Sequence, residues 1–406
     1  MSEAYDRNPL IFIPGLMGSM GDDIIKGMGQ WGFGMATLVY KPLINGLEKM
    51  GYSVGQDLFI CYYDWRKTIK TTIELYLKPL IKEIKETYPN RKIDIIGHSM
   101  GGLVARSLIQ DYNYGSGLVD KLILIGTPNR GAVSAYYFWS TGSLLKNKRG
   151  NNFINLIVHG YIWIMFSLMG IAWGRKDLRI IQENFPGIGE LIPSYDYGNI
   201  LYYKDPEDSL LEIPKANMKY QNSLLNKLNY NLEALFVDDL SLYNIVGYDF
   251  YTPEALIIDG NRFLYEHEEI VLDAIETLAG DGTVTMNSAL LTKPVNYHIQ
   301  ANHKNMVKES LNKVGDILGI KTIQPLDGIT IGEDLTLHIL FTGQANFVVS
   351  NGGRPILEFY GGQIISQYSY IYETYPKAHN WIVIKDIPRG QYSINIDNHQ
   401  AKNLQI

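Results

Sequence analysis

The chain has 406 residues, and its content of 46% hydrophobic, 12% aromatic and 19% charged residues is typical of a globular protein rather than a disordered or fibrous one. Because domains usually hold about 100 to 200 residues, this length favours two domains. The formal net charge of −6 disfavours a nucleic-acid partner. The single cysteine, Cys61, excludes an intramolecular disulfide and a cysteine-based zinc cluster.

Residues 9 to about 128 alternate between strand-like and helix-like segments, which predicts a mostly parallel α/β sheet. Four short apolar runs predict buried strands: NPLIFIPG at 8–15, LFICYY at 58–63, KIDIIG at 92–97 and KLILIG at 121–126. Apolar residues recur at helical spacing from Thr71 to Tyr88, where Pro79 predicts a kink or a late start. MGGLVARSLIQDY predicts a second helix, between the third and fourth strands.

The alternation stops between about residues 130 and 240, and we interpret this stretch as an inserted helical lid. Strands resume at LYNIVGY (242–248) and PVNYHIQ (294–300), and a helix is expected near 304–318. After Pro325, period-two strands without helices predict a small all-β sandwich. These strands are LTLHILF, NFVVS, PILEFY, IISQYSYIY, NWIVIK and QYSINI. We therefore expect a large α/β domain at 1–322, with the lid at about 130–240, and a β-sandwich domain at 323–406.

The segment GHSMGG places Gly97, Ser99 and Gly101 at the G-x-S-x-G spacing of a nucleophile elbow. In such an elbow, a strained turn between a buried strand and a helix lifts the serine hydroxyl clear of the sheet. IDIIG before Ser99 and MGGLVARSL after it predict that strand and that helix, which disfavours the alternative of a serine in an ordinary glycine turn. His98, next to the nucleophile, is expected to point away from it as a packing residue.

A serine hydroxyl needs a histidine base within hydrogen-bond reach and a carboxylate that orients this histidine. In this kind of fold the chain order is serine, acid, histidine. Asp281 in the loop GDGTV, followed by His303 in a polar loop after the last predicted strand, fits that order. Other residues of the right types compete for these two roles: His298, His267 and Asp259.

Two backbone N–H groups are expected to stabilise the negative charge that develops on the substrate oxygen during attack. One belongs to Met100, the residue after the serine. We assign the other to Leu16, which follows Pro14 and Gly15 in the early loop IPGLMGS. A simple strand-ending turn would explain the Pro-Gly pair but not its occurrence together with an elbow.

Six motifs, taken in order, resemble those of the lecithin:cholesterol acyltransferase family of α/β-hydrolases over about residues 8–320. They are NPLIFIPGLMGS (8–19), YYDWR (62–66), GHSMGG (97–102), LIGTPNRG (124–131), VGYDFYTP (246–253) and GDGTV (280–284). The resemblance implies that Ser99, Asp281 and His303 match the family's catalytic triad. It implies likewise that Leu16 and Met100 match the oxyanion donors, and that the chain acts on acyl esters of lipids.

The sequence also departs from this family. The animal enzymes carry disulfides, one of which closes a membrane-binding loop, and this chain cannot form any, so lipoprotein-type partners are not expected. The β-rich tail after Pro325 is not part of the family core. Asp64 and Arg66 of the DWR stretch are expected to form a local ion pair that shapes the pocket wall, with a plain structural role as the alternative.

Residues 153–174 contain no charge and are long enough to span a membrane. A single span would put Ser99 on one side and both Asp281 and His303 on the other, so we interpret the segment as one or two lid helices over the pocket, or as an inert buried hairpin. Basic residues on both flanks would favour an anionic lipid surface: Lys146, Lys148, Arg149, Arg175 and Lys176. No secretory signal is recognisable, which favours a cytoplasmic or peripheral membrane location.

The sequence thus predicts a serine-dependent lipid or carboxylic ester hydrolase of the lipase, esterase or phospholipase type. It would act through an acyl-enzyme intermediate, with an acyl-ester substrate as its partner and with no metal or organic cofactor. Two alternatives stay open. One is an acyltransferase that passes the acyl group from a lipid to an alcohol, and the other is a catalytically silent protein that binds a lipid or another protein.

Overall fold

The computed structural model describes residues 7–23, 28–112, 117–145, 178–205, 207–236, 239–320, 335–342, 346–360, 363–365, 372–374, 381–387, 390–396 and 403–405. These residues belong to two compact units. The first unit takes in the described residues up to 20, from 32 to 145 and from 178 to 320, and the second takes in those at 21–31 and from 335 onward. That residues 1–322 and 323–406 are separate domains stays a prediction.

Six strands form the central sheet of the first unit. They are β1 (Leu10–Ile13), β4 (Leu58–Ile60), β5 (Ile93–His98), β6 (Val119–Ile125), β9 (Ser241–Gly247) and β12 (Val295–Ile299). Their order is β12-β9-β6-β5-β1-β4, and every neighbouring pair is parallel. All four residues of β1 are fully buried, as expected for a parallel strand covered on both faces. The predicted α/β class is confirmed.

Helices lie between these strands in the chain and after the last of them. They are α1 (Thr37–Lys49), α2 (Ile69–Thr72), α3 (Lys78–Thr87), α4 (Met100–Tyr112), α5 (Val133–Thr141), α6 (Leu178–Asn184), α7 (Pro186–Gly189), α8 (Ser223–Tyr230), α9 (Met286–Ala289), α10 (Met306–Glu309) and α11 (Leu311–Ile317). A π-helical turn, Ile73–Leu77, joins α2 to α3 directly before Pro79. The irregularity expected from this proline is therefore a wider turn, because proline cannot donate a backbone hydrogen bond.

A second sheet of the first unit, the cap sheet, was not predicted. It consists of β7 (Leu201–Lys204), β8 (Leu210–Ile213), β10 (Thr252–Ile258) and β11 (Val271–Thr277), in the order β11-β10-β7-β8. Two of these strands lie inside the stretch interpreted as a helical insertion. The cap sheet shares a buried cluster with α5, in which Tyr136 packs with Leu201, Ile213 and Leu256.

The second unit contains most of a hairpin, β2 (Met20–Asp23) with β3 (Met28–Gly32), and two antiparallel four-stranded sheets. The strands of these sheets are β13 (Leu335–Thr342), β14 (Phe347–Asn351), β15 (Arg354–Tyr360), β16 (Gln363–Ile365), β17 (Tyr372–Thr374), β18 (Trp381–Ile387), β19 (Tyr392–Ile396) and β20 (Asn403–Gln405). Their orders are β17-β18-β13-β20 and β16-β15-β14-β19. Ile339 and Ile384 of the first sheet share a buried cluster with Phe347 and Leu357 of the second, as in a β-sandwich.

The apolar segment 153–174, interpreted as lid helices, lies outside the described residues, as do its basic flanks. Among the helices of the described ranges, none combines the length and the apolar character needed to cross a bilayer.

Candidate active site

Ser99 lies in the turn between β5 and α4, at the carboxyl end of the central sheet. Its φ of +53° falls in the left-handed region, which is uncommon for a residue with a side chain and is the strain expected of an elbow. Small residues make the turn feasible. A Cβ on Gly97 would lie 2.6 Å from the Cα of Gly102, and one on Gly101 would overlap the carbonyl oxygen of Ile13.

His303 follows β12 and reaches both of the other predicted triad side chains. Its Nε2 is 2.9 Å from Ser99 Oγ, and its Nδ1 is 2.7 Å from Asp281 Oδ2. The backbone N–H of His303 also donates to the Asp281 carbonyl at 2.8 Å. Room for the imidazole ring comes from Gly126 behind it, where an added Cβ would lie 3.2 Å from Nδ1.

Asp281 is almost fully buried and is held by its own loop. Its Oδ1 accepts the backbone N–H groups of Thr283 (2.9 Å) and Val284 (2.7 Å), which leaves Oδ2 for His303. The strand bridge between Phe250 and Asp281 and the bond from Phe250 N–H to the Gly280 carbonyl attach this loop to the segment that follows β9. Both carboxylate oxygens of Asp281 thus have hydrogen-bond partners, and one of them holds the imidazole.

The other candidates lie elsewhere. His298 is exposed on β12, and His267 is exposed at the end of a π-helical turn, Arg262–Glu266. Asp259 uses its carboxylate to accept the N–H groups of Asn261 and Arg262. In the described residues, no hydrogen bond joins any of the three to Ser99.

The backbone around Leu16 is close to the serine. A Cβ on Gly15 would lie 2.8 Å from the Ser99 Cβ, so only glycine allows this approach. Gly18 N–H donates to the Gly15 carbonyl at 2.9 Å, which closes a turn around Leu16. In the described chain, the N–H groups of Leu16 and Met100 have no acceptor, and Met100 is the first residue of α4, where an N–H has no intrahelical partner.

Two buried residues at the site were not assigned a polar role from the sequence. The Tyr40 hydroxyl accepts the N–H of Gly15 at 2.8 Å and is 2.9 Å from Nδ1 of His98. His98 Nε2 is 3.1 Å from the carbonyl oxygen of His303. His98 was expected to be a packing residue, and its ring also contacts the loop that contains His303. Burial, with a smaller effect of the nearby His303, lowers the pKa of His98 to about 3.

The loop after β4 contains a buried ion pair. Arg66 and Asp64 form a buried bidentate ion pair, with Nε–Oδ1 at 2.7 Å and Nη2–Oδ2 at 2.8 Å. The Trp65 ring stacks on Phe185 at 5.8 Å. The segment after Phe185 also approaches the elbow, since a Cβ on Gly187 would lie 3.1 Å from Met100 Cε. The expected ion pair is therefore present, and its role in shaping a pocket wall stays a prediction.

Glu190 is an acid outside the predicted triad. Glu190, just after α7, accepts the N–H of Ile69 at the start of α2, and burial raises the pKa of its carboxyl to about 7. No group of three or more His, Cys, Asp or Glu side chains in the described ranges is placed to hold a metal ion.

A parallel sheet that carries a serine elbow, with an acid and a histidine on later loops, defines the α/β-hydrolase class. The model of the lecithin:cholesterol acyltransferase family matches residues 33–256, which is more than half of the chain. The chain belongs to this family. The matched residues include Ser99 and end before Asp281 and His303.

Similarity to individual proteins is partial. Phospholipase A(1) LCAT3 of Arabidopsis thaliana is 35% identical over 97 residues, which are 23% of this chain and 21% of that protein. GPI inositol-deacylase of Rattus norvegicus is 33% identical over 160 residues, 37% of this chain and 17% of that protein. The chain thus matches about a fifth of the length of these relatives. Bacillus licheniformis lipase BlEst2 in its propeptide form is 15% identical with a TM-score of 0.42, over 97% of this chain and 72% of that one.

Proposed function

We propose that the protein is a serine-dependent hydrolase of lipid acyl esters. One observation carries this proposal: His303 lies between Ser99 and Asp281 at 2.9 and 2.7 Å, within the reach that proton transfer requires. Membership of the family supports an acyl ester as the substrate. The names of the two relatives, a phospholipase and a deacylase, favour lipid esters.

In the proposed reaction, Nε2 of His303 takes the proton of Ser99 Oγ as this oxygen attacks the ester carbonyl carbon. The Nδ1–H of the same ring donates to Asp281, which stabilises the imidazolium that forms. The negative oxygen of the tetrahedral intermediate is stabilised by the N–H groups of Leu16 and Met100. Collapse expels the alcohol, which takes the proton from His303, and leaves an acyl-enzyme on Ser99.

Deacylation repeats these steps with water. His303 accepts a proton from the water molecule as its oxygen attacks the acyl carbon, and it then protonates Ser99 as the fatty acid leaves. An alcohol in place of water would give a new ester, so acyl transfer uses the same residues. What separates the two outcomes is access of water and binding of an acceptor.

Labelling with a fluorophosphonate, together with hydrolysis of chromogenic esters of increasing acyl length, tests the proposal. Ser99→Ala should lose labelling and should lower kcat by about 10⁴-fold or more. Ser107→Ala is a matched control, because Ser107 is also a buried serine of the same region, on α4. Equal hydrolysis by Ser99→Ala and the parent would contradict the proposal.

Two further outcomes separate the alternatives. If an added alcohol is esterified faster than free acid forms, the protein is an acyltransferase. If folded parent protein is neither labelled at Ser99 nor able to hydrolyse any ester of the series, the site is catalytically silent and the chain is a binding protein.

A further inference from the structure

The Tyr40 hydroxyl is part of a chain of hydrogen bonds between two loops that are far apart in the sequence. On one side it accepts the Gly15 N–H at 2.8 Å, in the loop that also contains Leu16. On the other side it is 2.9 Å from His98 Nδ1, and the opposite nitrogen of that ring is 3.1 Å from the His303 carbonyl oxygen. A chain of hydrogen bonds therefore joins the loop of the proposed oxyanion donor to the loop of the proposed base.

The chemistry of the groups fixes the direction of every bond in this chain. A backbone N–H can only donate, so the oxygen of Tyr40 accepts from Gly15 and its own proton is free to go to His98 Nδ1. A carbonyl oxygen can only accept, so His98 carries its proton on Nε2 and donates it to His303. Each donor has one acceptor, and no group in the chain needs a charge.

Packing holds these groups in place. The Tyr40 ring is 3% exposed and lies 5.2 Å from the rings of both Phe12 and Phe33. His98 is 4% exposed, and its ring lies 4.9 Å from that of His303. The peptide between Pro14 and Gly15 is fixed at both polar atoms, because the Pro14 carbonyl accepts the hydroxyl of buried Tyr63 at 2.8 Å.

We propose that Tyr40 and His98 are positioning residues, which set the distance and the angle between the oxyanion loop and the base loop. The inference rests on the proposed function, since it assigns these residues to the same site. Neither side chain takes part in a chemical step. Their effect is on geometry, where a displacement of about 1 Å at a catalytic group can cost about 100-fold in rate.

Tyr40→Phe removes the hydroxyl and keeps the ring. We expect kcat for a chromogenic ester to fall about tenfold, with KM within about twofold, because binding contacts of the ground-state ester stay in place. Tyr136→Phe is the matched control: Tyr136 is also a buried tyrosine whose hydroxyl bonds to another side chain, Glu269, in the core shared with the cap sheet. This control should keep its kcat.

His98→Leu should resemble Tyr40→Phe, since it interrupts the same chain of bonds. The double variant should lose no more than about tenfold, because a chain that is already cut is little affected by a second cut. His98→Gln should keep more activity than His98→Leu, since the glutamine amide can still donate to the His303 carbonyl. Thermal unfolding of each variant separates loss of fold from loss of kcat.

The inference fails if Tyr40→Phe folds and keeps its kcat, if it changes only KM, or if the effects of Tyr40→Phe and His98→Leu multiply in the double variant. A different result bears on the proposed function itself. If Ser99→Ala hydrolyses the ester as fast as the parent, the hydrolase proposal falls, whereas a silent Tyr40→Phe beside an inactive Ser99→Ala overturns only the positioning role.

Discussion

Two buried hydrogen-bond networks of the first unit differ in charge. In the first, the bonds from Gly15 through Tyr40 and His98 to His303 are made by neutral groups.

In the second network, Arg106 of α4 is fully buried. Its donors go to amide oxygens: Gln110 Oε1 at 3.1 Å, Asn129 Oδ1 at 2.9 Å and Asn229 Oδ1 at 2.8 Å. Within the described ranges, no carboxylate lies at ion-pair distance from this guanidinium.

The difference assigns separate tasks to the two networks. Cutting the neutral chain at one point leaves one or two buried groups without a partner, at about 1–3 kcal/mol each. Removing the Arg106 guanidinium leaves three amide oxygens without their donor at once, so a larger loss of stability is expected. Burial lowers the pKa of Arg106 to about 9, and the guanidinium stays charged at neutral pH. We therefore expect the first network to affect rate and the second to affect stability.

The largest expected effect is a loss of kcat on substitution of Asp281, whose carboxylate bonds to His303 at the end of the neutral network. In Asp281→Asn, the new amide N–H would face Nδ1 of His303, so the imidazole proton would move to Nε2, toward Ser99, and the base would be lost. We expect kcat to fall by about 10⁴-fold while the protein stays folded. Ester hydrolysis and the rate of fluorophosphonate labelling measure this loss.

Asp259→Asn is the control for that variant, because Asp259 is the other acid that the sequence offers for this role. Its carboxylate accepts the N–H groups of Asn261 and Arg262, and its variant should hydrolyse esters like the parent. A larger loss in Asp259→Asn than in Asp281→Asn would reverse the assignment of the acid.

Arg106→Met tests the charged network. The oxygens of Asn129 and Asn229 would lose their donors, and we expect the free energy of unfolding to fall by about 3 kcal/mol. Activity per folded molecule should stay within a few-fold of the parent. Urea denaturation gives the free energy of unfolding, and ester hydrolysis below the unfolding transition gives the activity per folded molecule.

The exposed pair of Arg262 with Glu266 provides the control Arg262→Met, for which a clearly smaller change in the free energy of unfolding is expected. Similar losses in both variants, or a loss of kcat in folded Arg106→Met, would remove the contrast between the two networks.

The smallest expected effect is a change in the free energy of unfolding with pH, caused by the carboxyl of Glu190. Its raised pKa means that the folded protein binds this proton more tightly than the unfolded chain does, so its contribution to stability is lost as pH rises from about 4.5 to about 7. Glu190→Gln keeps an oxygen for the N–H of Ile69 but cannot ionise. Between pH 5.5 and 7, the parent should lose about 1.5 kcal/mol of stability relative to this variant.

Urea denaturation at several pH values measures that difference. Glu183→Gln, a change at an exposed glutamate of α6, is the control. If the parent and Glu190→Gln keep a constant difference across the range, the carboxyl does not titrate there.

The sequence predicted the central sheet because its strands are continuous apolar runs, and it predicted the elbow because Gly97, Ser99 and Gly101 stand between one such run and a helix. The loops of Asp281 and His303 were recognised from chain order and position after the strands. The structure brings the three side chains together, while their catalytic roles stay predictions. These features are local in the sequence, so a pattern can indicate them.

The cap sheet and the two networks are not local. LYYK and LLEI, at 201–204 and 210–213, are too short to distinguish from loop, and Pro253 in the second position of β10 reads as a strand breaker. Tyr40 looks like any core residue of α1, because its partners Gly15 and His98 come from distant positions. The sequence did not indicate a network around Arg106 either, because its partners are neutral amides and form no pattern of opposite charges.

The position of β12 has a consequence for how the protein is made. This edge strand pairs with β9, and it precedes His303, which follows Ser99 by 204 residues. On the ribosome, Ser99 therefore emerges well before His303, and under the proposed mechanism its hydroxyl stays unreactive until the edge of the sheet is completed. Under the proposed mechanism, unfinished polypeptides would be unable to attack esters, so translation itself delays the enzyme's onset.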